Sequence, residues 1–289
     1  MSFFVCILCL LLSLASVLGA NRSPIDDSVC KELINGVASA RQQQLRSILP
    51  DKTFYKFISD HSKPHDDIML VDVDLNTWSL LLNQVVALKM TGSKLVVFAI
   101  AYDDNICKEL WGKGVPCYYE ERWIKGLYTA YQKWTGSTLP PGQNLVNVQM
   151  GRMITTLVTI CEGHNVFLSD GDVVFFRDPM DYVFNNVNIM ITATAIGPNP
   201  DWGVPYMADN SSTYYALNNG VVFYRNNAVT RSFLMQLTVN CIEFLNKGPD
   251  SMWAFLQTRF HVYMRDHHLL FYPSRLDILS FLMHSFLYA

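Results

Sequence analysis

Apolar and polar positions along the chain fall into two periods that alternate. The stretch SVCKELINGVASARQQQLRSIL carries its apolar residues at three- and four-residue spacing and predicts an amphipathic helix, with Ser28 placed to cap it. IMLVDV then reads as a strand, NTWSLLLNQVVALKMTG as a helix stopped by Gly92, KLVVFAIAY as a strand, DNICKELWGKG as a short helix and VPCYY as a strand. This βαβαβ order implies parallel pairing with right-handed crossovers. A further helix, NVQMGRMITTLVTICEG, leads into the strand NVFLS, and a short apolar strand follows in VVFF before a turn at Pro179. Strands over VNIMITATA and GVVFYR, a helix from about Val229 to Asn246, another near Trp253 and late strands around LLFY and ILSFLMH complete the pattern. No internal repeat or linker composition marks a second unit. The expectation is one α/β domain: a Rossmann-type mixed sheet, mostly parallel, flanked by helices.

The ends of the chain modify that picture. Phe3 to Leu18 is an apolar run ending in small residues, with no Lys or Arg before it, and reads as a signal peptide over residues 1–20 or as an uncleaved signal anchor. An N-terminal helical segment over 21–60 and the main domain over 61–289 follow. Either reading sends the domain into the secretory lumen, with the Golgi the expected site, or outside the cell if the signal is cleaved and nothing retains the protein. Membrane contact is expected only from an uncleaved anchor. The late apolar segment LDILSFLMHSFLYA is too short to span. Five cysteines lie beyond the signal, an odd count, so pairing in an oxidising lumen leaves one over; Cys107 and Cys117 bracket a helix-end and turn pattern that can bring them together. Asn210, in NSS, is a glycosylation acceptor, and Asn21, in NRS ahead of Pro24, is a poorer one.

A formal charge of -3 without any basic run excludes the electrostatic footprint of a nucleic-acid or acidic-membrane binder. An anionic ligand must therefore be held by a local device. The Asp-x-Asp pattern occurs twice, as Asp72 with Asp74 and as Asp170 with Asp172, and the spacing alone says little. Context separates the copies. Asp170 and Asp172 end a strand, flank Gly171 and run into VVFFRDP. Residues two apart in extended chain project to one side, and like charges there call for a cation or solvent between them. Such oxygens suit Mn2+ or Mg2+, with water and substrate phosphate completing the shell, and Gly171 would let a ligand approach the backbone.

Other residues fill lesser roles in this reading. Asp72 and Asp74 are expected in a solvated turn or helix cap. Asp103 and Asn76, at strand ends, are candidates for the base or ribose of a nucleotide, and Glu162 reads as a surface charge. Asp201 and Asp209 lie in a loop whose carboxylates an inverting enzyme would need as base and a retaining one would not, the sequence leaving both open, and Trp202 in the same loop is a candidate acceptor platform. A glycosidase pair is disfavoured, because its two carboxyls must flank the scissile bond.

From Arg152 to Pro179 the sequence resembles the core of nucleotide-diphospho-sugar transferases with the GT-A fold, in particular the family of plant cell-wall arabinosyl-, xylosyl- and galactosyl-transferases: helix, Gly, strand, Asp-x-Asp, apolar strand, Asp-Pro. ALNNGVVFYR is similar to that family's Asn-x-Gly stretch through Asn218 and Gly220, and the likeness extends from about Asp67 to Phe260. It implies that Asp172 ligates a metal, that Asp170 contacts the metal shell or the ribose, and that Asn218 and Gly220 line the sugar or acceptor side. It also makes His284 a candidate metal ligand, set against the reading of a hydrogen-bonded core residue. The implied partners are a UDP-sugar donor and a glycan or glycoprotein acceptor. Three departures stand out: Arg152 replaces the usual Lys, SMWAFL keeps Phe255 but has Ser251, Met252 and Leu256 at polar positions, and Asp250 is one residue out of register on the acceptor side. The family usually continues past the position of Ala289. The expected function is a metal-dependent glycosyltransferase; a non-catalytic relative that binds nucleotide or glycan without turnover is the alternative.

Overall fold

The computed structural model describes Cys30 and residues 48–135, 145–185, 187–196 and 214–245. Six strands form one sheet: β1 (Asp67–Val73), β2 (Val96–Ala101), β3 (Cys117–Tyr118), β4 (Asn165–Asp170), β5 (Ile189–Ile196) and β6 (Tyr214–Tyr224), in the order β3-β2-β1-β4-β6-β5. The first four strands are mutually parallel, while β6 runs antiparallel to both β4 and β5. The mixed, mostly parallel sheet expected from the sequence is the one formed. Six helices accompany it: α1 (Lys52–His61), α2 (Trp78–Thr91), α3 (Asp104–Gly112), α4 (Glu121–Thr135), α5 (Leu145–Cys161) and α6 (Ala228–Leu245).

Strand parity divides the core. Odd positions of β1 (Met69, Val71, Val73) pack with Leu81, Val85 and Leu88 of α2 and Ile106 and Leu110 of α3. Even positions (Ile68, Leu70) pack on the other face with Phe54, Phe57 and Ile58 of α1, Ile154, Leu157 and Val158 of α5, and Phe233 of α6. Both faces are thus covered, which is why the parallel strands read as unbroken apolar runs. Helix ends follow local chemistry. Gly92, at φ 77°, closes α2 by donating its N–H to the carbonyls of Leu88 and Lys89. The Asp103 carboxylate caps α3 by accepting from the N–H groups of Asn105 and Ile106.

Two disulfides join the described residues. Cys107, in α3, bonds Cys117, in β3, the pairing their spacing allowed, and Cys30 bonds Cys161 at the end of α5. The expected strand over VVFF does not form. β1 and β6 already occupy both sides of β4, so this segment cannot pair beside the strand it follows; Phe175 turns inward against the Phe167 ring, Phe176 stays exposed, and Asp178 caps a 3-10 turn over Pro179–Tyr182. The element calls near Trp253, LLFY and ILSFLMH, the signal segment and the helix read from Ser28 lie outside the described residues, Cys30 excepted. No helix among the described residues is long and apolar enough to cross a membrane.

Candidate functional site

The chain builds β2 and β3 on one side of β1 and then returns to lay β4 on the other. The topological switch point therefore lies between the carboxyl ends of β1 and β4, where open α/β sheets bind ligands. Asp72 and Asp170 are register partners there. Both are even positions, so both face α5, which places Arg152 between them. The Arg152 Nε donates to Asp72 Oδ2 at 2.9 Å, and Nη2 donates to Asp170 Oδ1 at 2.6 Å and to the Ser169 carbonyl at 3.2 Å. Arg152 and Asp72 are buried, whereas the Asp170 side chain is 45% exposed and Asp172 is exposed.

Behind this fork the Tyr102 hydroxyl donates to Asp72 Oδ1 at 3.0 Å and lies 3.2 Å from the Val148 carbonyl. From the opposite face Gln84 of α2 donates to Ser169 Oγ at 2.6 Å and to the Asp170 carbonyl at 3.3 Å, so the end of β4 is gripped from both layers. Electrostatics follow burial. Desolvation pushes the Asp72 carboxyl above its usual range, although Arg152 and Tyr102 pull the other way. Burial, reinforced by Asp72, drives the Tyr102 hydroxyl far up, so it remains a donor. Burial opposes the Arg152 charge, but the carboxylates of Asp170 and Asp72 outweigh it and hold the guanidinium protonated.

The remaining sequence candidates divide. Asp74 is a cap: its Oδ1 accepts from the N–H groups of Asn76 and Thr77 and from the Thr77 hydroxyl. Asp72 is not the solvated residue expected. It falls on the α5-facing side of a strand covered on both faces, and Arg152 compensates its charge. At Gly171 a Cβ would lie 3.3 Å from Thr77 Cβ, so the missing side chain also admits the β1–α2 turn beside the motif. Asn76 is exposed in that turn, and Asp103 spends Oδ1 on the α3 cap. Ser169 pairs with Val221, and one further step of that register sets Gly220 level with Asp170. Asn218 follows where the β5–β6 pairing shifts. Trp202, Asp201, Asp209, Asn210, Asp250 and His284 lie outside the described residues.

Among the described residues no three His, Cys, Asp or Glu side chains gather as a metal site. The donor chemistry at the motif nevertheless fits a hard divalent cation, which is held by one or two carboxylates when substrate phosphate and water supply the rest. Among the described residues Asp72 and Asp170 share the Arg152 guanidinium, while Asp172 lies exposed at the turn.

Residues 94–261 match the family of nucleotide-diphospho-sugar transferases. That span begins just before β2 and takes in Arg152, the Asp-Gly-Asp turn and β6, while Asp72 and Asn76 precede it. No curated protein matches the chain. Among solved structures, CMP:2-keto-3-deoxy-manno-octonic acid synthetase complexed with CTP is similar at 10% identity over 71% of this chain and 87% of that one, with a TM-score of 0.40. The apo-form glycosyltransferase GlyE of Streptococcus pneumoniae TIGR4 is similar at 12% identity over 70% of this chain and 44% of that one, with a TM-score of 0.37.

Proposed function

The chain belongs to the nucleotide-diphospho-sugar transferase family, and from that membership we propose that it is a metal-dependent glycosyltransferase of the secretory pathway, moving a sugar from a UDP-sugar to a glycan or glycoprotein acceptor. The observation that carries this reading is the Asp170-Gly171-Asp172 turn at the switch point of the sheet, with its strand end gripped by Arg152 and Gln84.

In this reading Asp172 and the outward part of Asp170 hold Mn2+ or Mg2+, which supplies Lewis-acid stabilisation to charge building on the leaving diphosphate. The protein's own part is placement. Arg152 fixes the rotamer of Asp170, and Gln84 fixes the backbone that aims both carboxylates out of the sheet. Gly220, level with Asp170, leaves a side-chain-free wall on the β6 side for the sugar, and Asn218, two residues earlier in β6, is the further candidate for the sugar or acceptor side. Asp103 and Asn76, at the neighbouring strand ends, border the space for the base and ribose.

The test is release of UDP from a panel of UDP-sugars by the full chain, with Mn2+ and with chelator, in the presence of glycan acceptors. Turnover that needs the metal and falls at least about a hundredfold in Asp172→Ala is expected, in line with removing a principal charge-stabilising group. Metal-independent turnover, or an unimpaired Asp172→Ala, contradicts the assignment; UDP binding without turnover on any sugar favours the non-catalytic relative.

A further inference from the structure

Asp170 is tethered before any donor arrives, and the tether has its own support. Arg152 is a fork with one tine on Asp72 and the other on Asp170. A donor sits on each oxygen of Asp72, Tyr102 on Oδ1 and Arg152 on Oδ2. Tyr102 in turn depends on Gly151. A Cβ at that position would lie 2.5 Å from the Tyr102 oxygen, so the glycine next to Arg152 makes room for the hydroxyl that holds Asp72. β1, the residue after β2 and α5 thus meet at Asp72, which lies outside the family match.

We propose that Asp72, Tyr102 and Gly151 form a positioning layer that holds Arg152 as a fixed strut against Asp170 and offsets its charge, so that the Asp-Gly-Asp turn keeps the orientation and negative potential needed to take up a divalent cation. The inference rests on the metal-dependent reading above. Without Asp72, the guanidinium loses the anchor on Nε and leans on Asp170, the group that must face the cation. With it, Arg152 touches Asp170 through one oxygen and leaves the turn net negative. None of the three residues need touch substrate; each acts through Arg152.

The experiment uses the full chain and Mn2+ alone as probe, with bound ion read by electron paramagnetic resonance, followed by UDP titration. Loss of one unit charge next to the turn is expected to weaken Mn2+ binding about tenfold in Asp72→Asn. Tyr102→Phe, which keeps the ring, is expected to weaken it by less and guards against failure of the first variant to fold. Melting temperatures in chelator give a readout independent of metal. Each of Asp72→Asn and Asp170→Asn removes one of the two carboxylates that share Arg152, while the double variant removes both, so its loss should exceed the sum of the singles. Additive losses overturn the shared strut. Wild-type Mn2+ affinity in folded Asp72→Asn and Tyr102→Phe shows a layer that serves only the fold and overturns the proposal. Absence of Mn2+ binding by the wild type, with non-additive melting intact, instead removes the metal-dependent reading, and the layer's role toward a cation falls with it.

Discussion

At the scale of single residues, the site is set by where side chains fall on a two-residue period. Asp72 and Asp170 share parity and register, so one arginine from the helix over that face reaches both. The sequence displays the two Asp-x-Asp pairs equally; what it hides is that the first is split, with Asp72 turned into the core and Asp74 spent on a turn. The signal available was Arg152 itself, a charge within an otherwise apolar helix face, which burial alone would make costly and which therefore implied carboxylate partners. Gly151 offers a test at this scale. Gly151→Ala should gain about 1 kcal/mol of helix propensity. It must nevertheless displace a buried Tyr102 whose oxygen stands 2.5 Å from the new Cβ, an overpacking cost of about 1–3 kcal/mol. Denaturant unfolding should show a net loss that Tyr102→Phe relieves, since the next ring atom then lies 3.5 Å away. A neutral Gly151→Ala would mean that the ring shifts freely, and the strut would lose its support.

At the scale of elements, the strands of the parallel half and the helices between them were legible because their apolar runs are covered on both faces and their ends carry glycine or aspartate. One helix, α4, escaped notice, while α1 falls at the end of the helical segment expected over 21–60. α1 buries Phe54, Phe57 and Ile58 at three- and four-residue spacing, and α4 repeats that spacing through Trp123, Ile124 and Leu127, so its amphipathic face was there to be read. The VVFF segment misled in the opposite sense: its composition favours a strand, but strand formation needs an edge and β4 has none to give. The disulfides also belong to this scale. The bridge from Cys30 to Cys161 closes a separation of 131 residues and fixes the end of α5, while Cys107 to Cys117 closes 10. Chain-entropy reasoning gives about 5 kcal/mol for the first and about 3 for the second. Replacing Cys30 and Cys161 by serine should therefore lower the urea midpoint more than replacing Cys107 and Cys117. The reverse order would indicate that α5 is held by packing and that the long bridge adds little.

At the scale of the whole molecule, the family match over residues 94–261 makes the chain a nucleotide-diphospho-sugar transferase, and the switch point between β1 and β4, with a turn bearing two carboxylates, supports the proposal that its donor side is the carboxyl edge of the parallel strands. The order of elements in the sequence was enough to anticipate that edge, because βαβ units admit one handedness. It was not enough to anticipate the antiparallel return of β6, which brings Gly220 level with Asp170 through a pairing remote in the chain. The account's central claim is that the acidic turn takes a nucleoside diphosphate only together with a divalent cation. Calorimetric titration of UDP into the full chain, with Mn2+ and with chelator, for wild type and Asp172→Ala, tests it most directly. Binding that appears with Mn2+, vanishes in chelator and is lost in Asp172→Ala is the predicted result; UDP binding that persists in chelator or in the variant would contradict it.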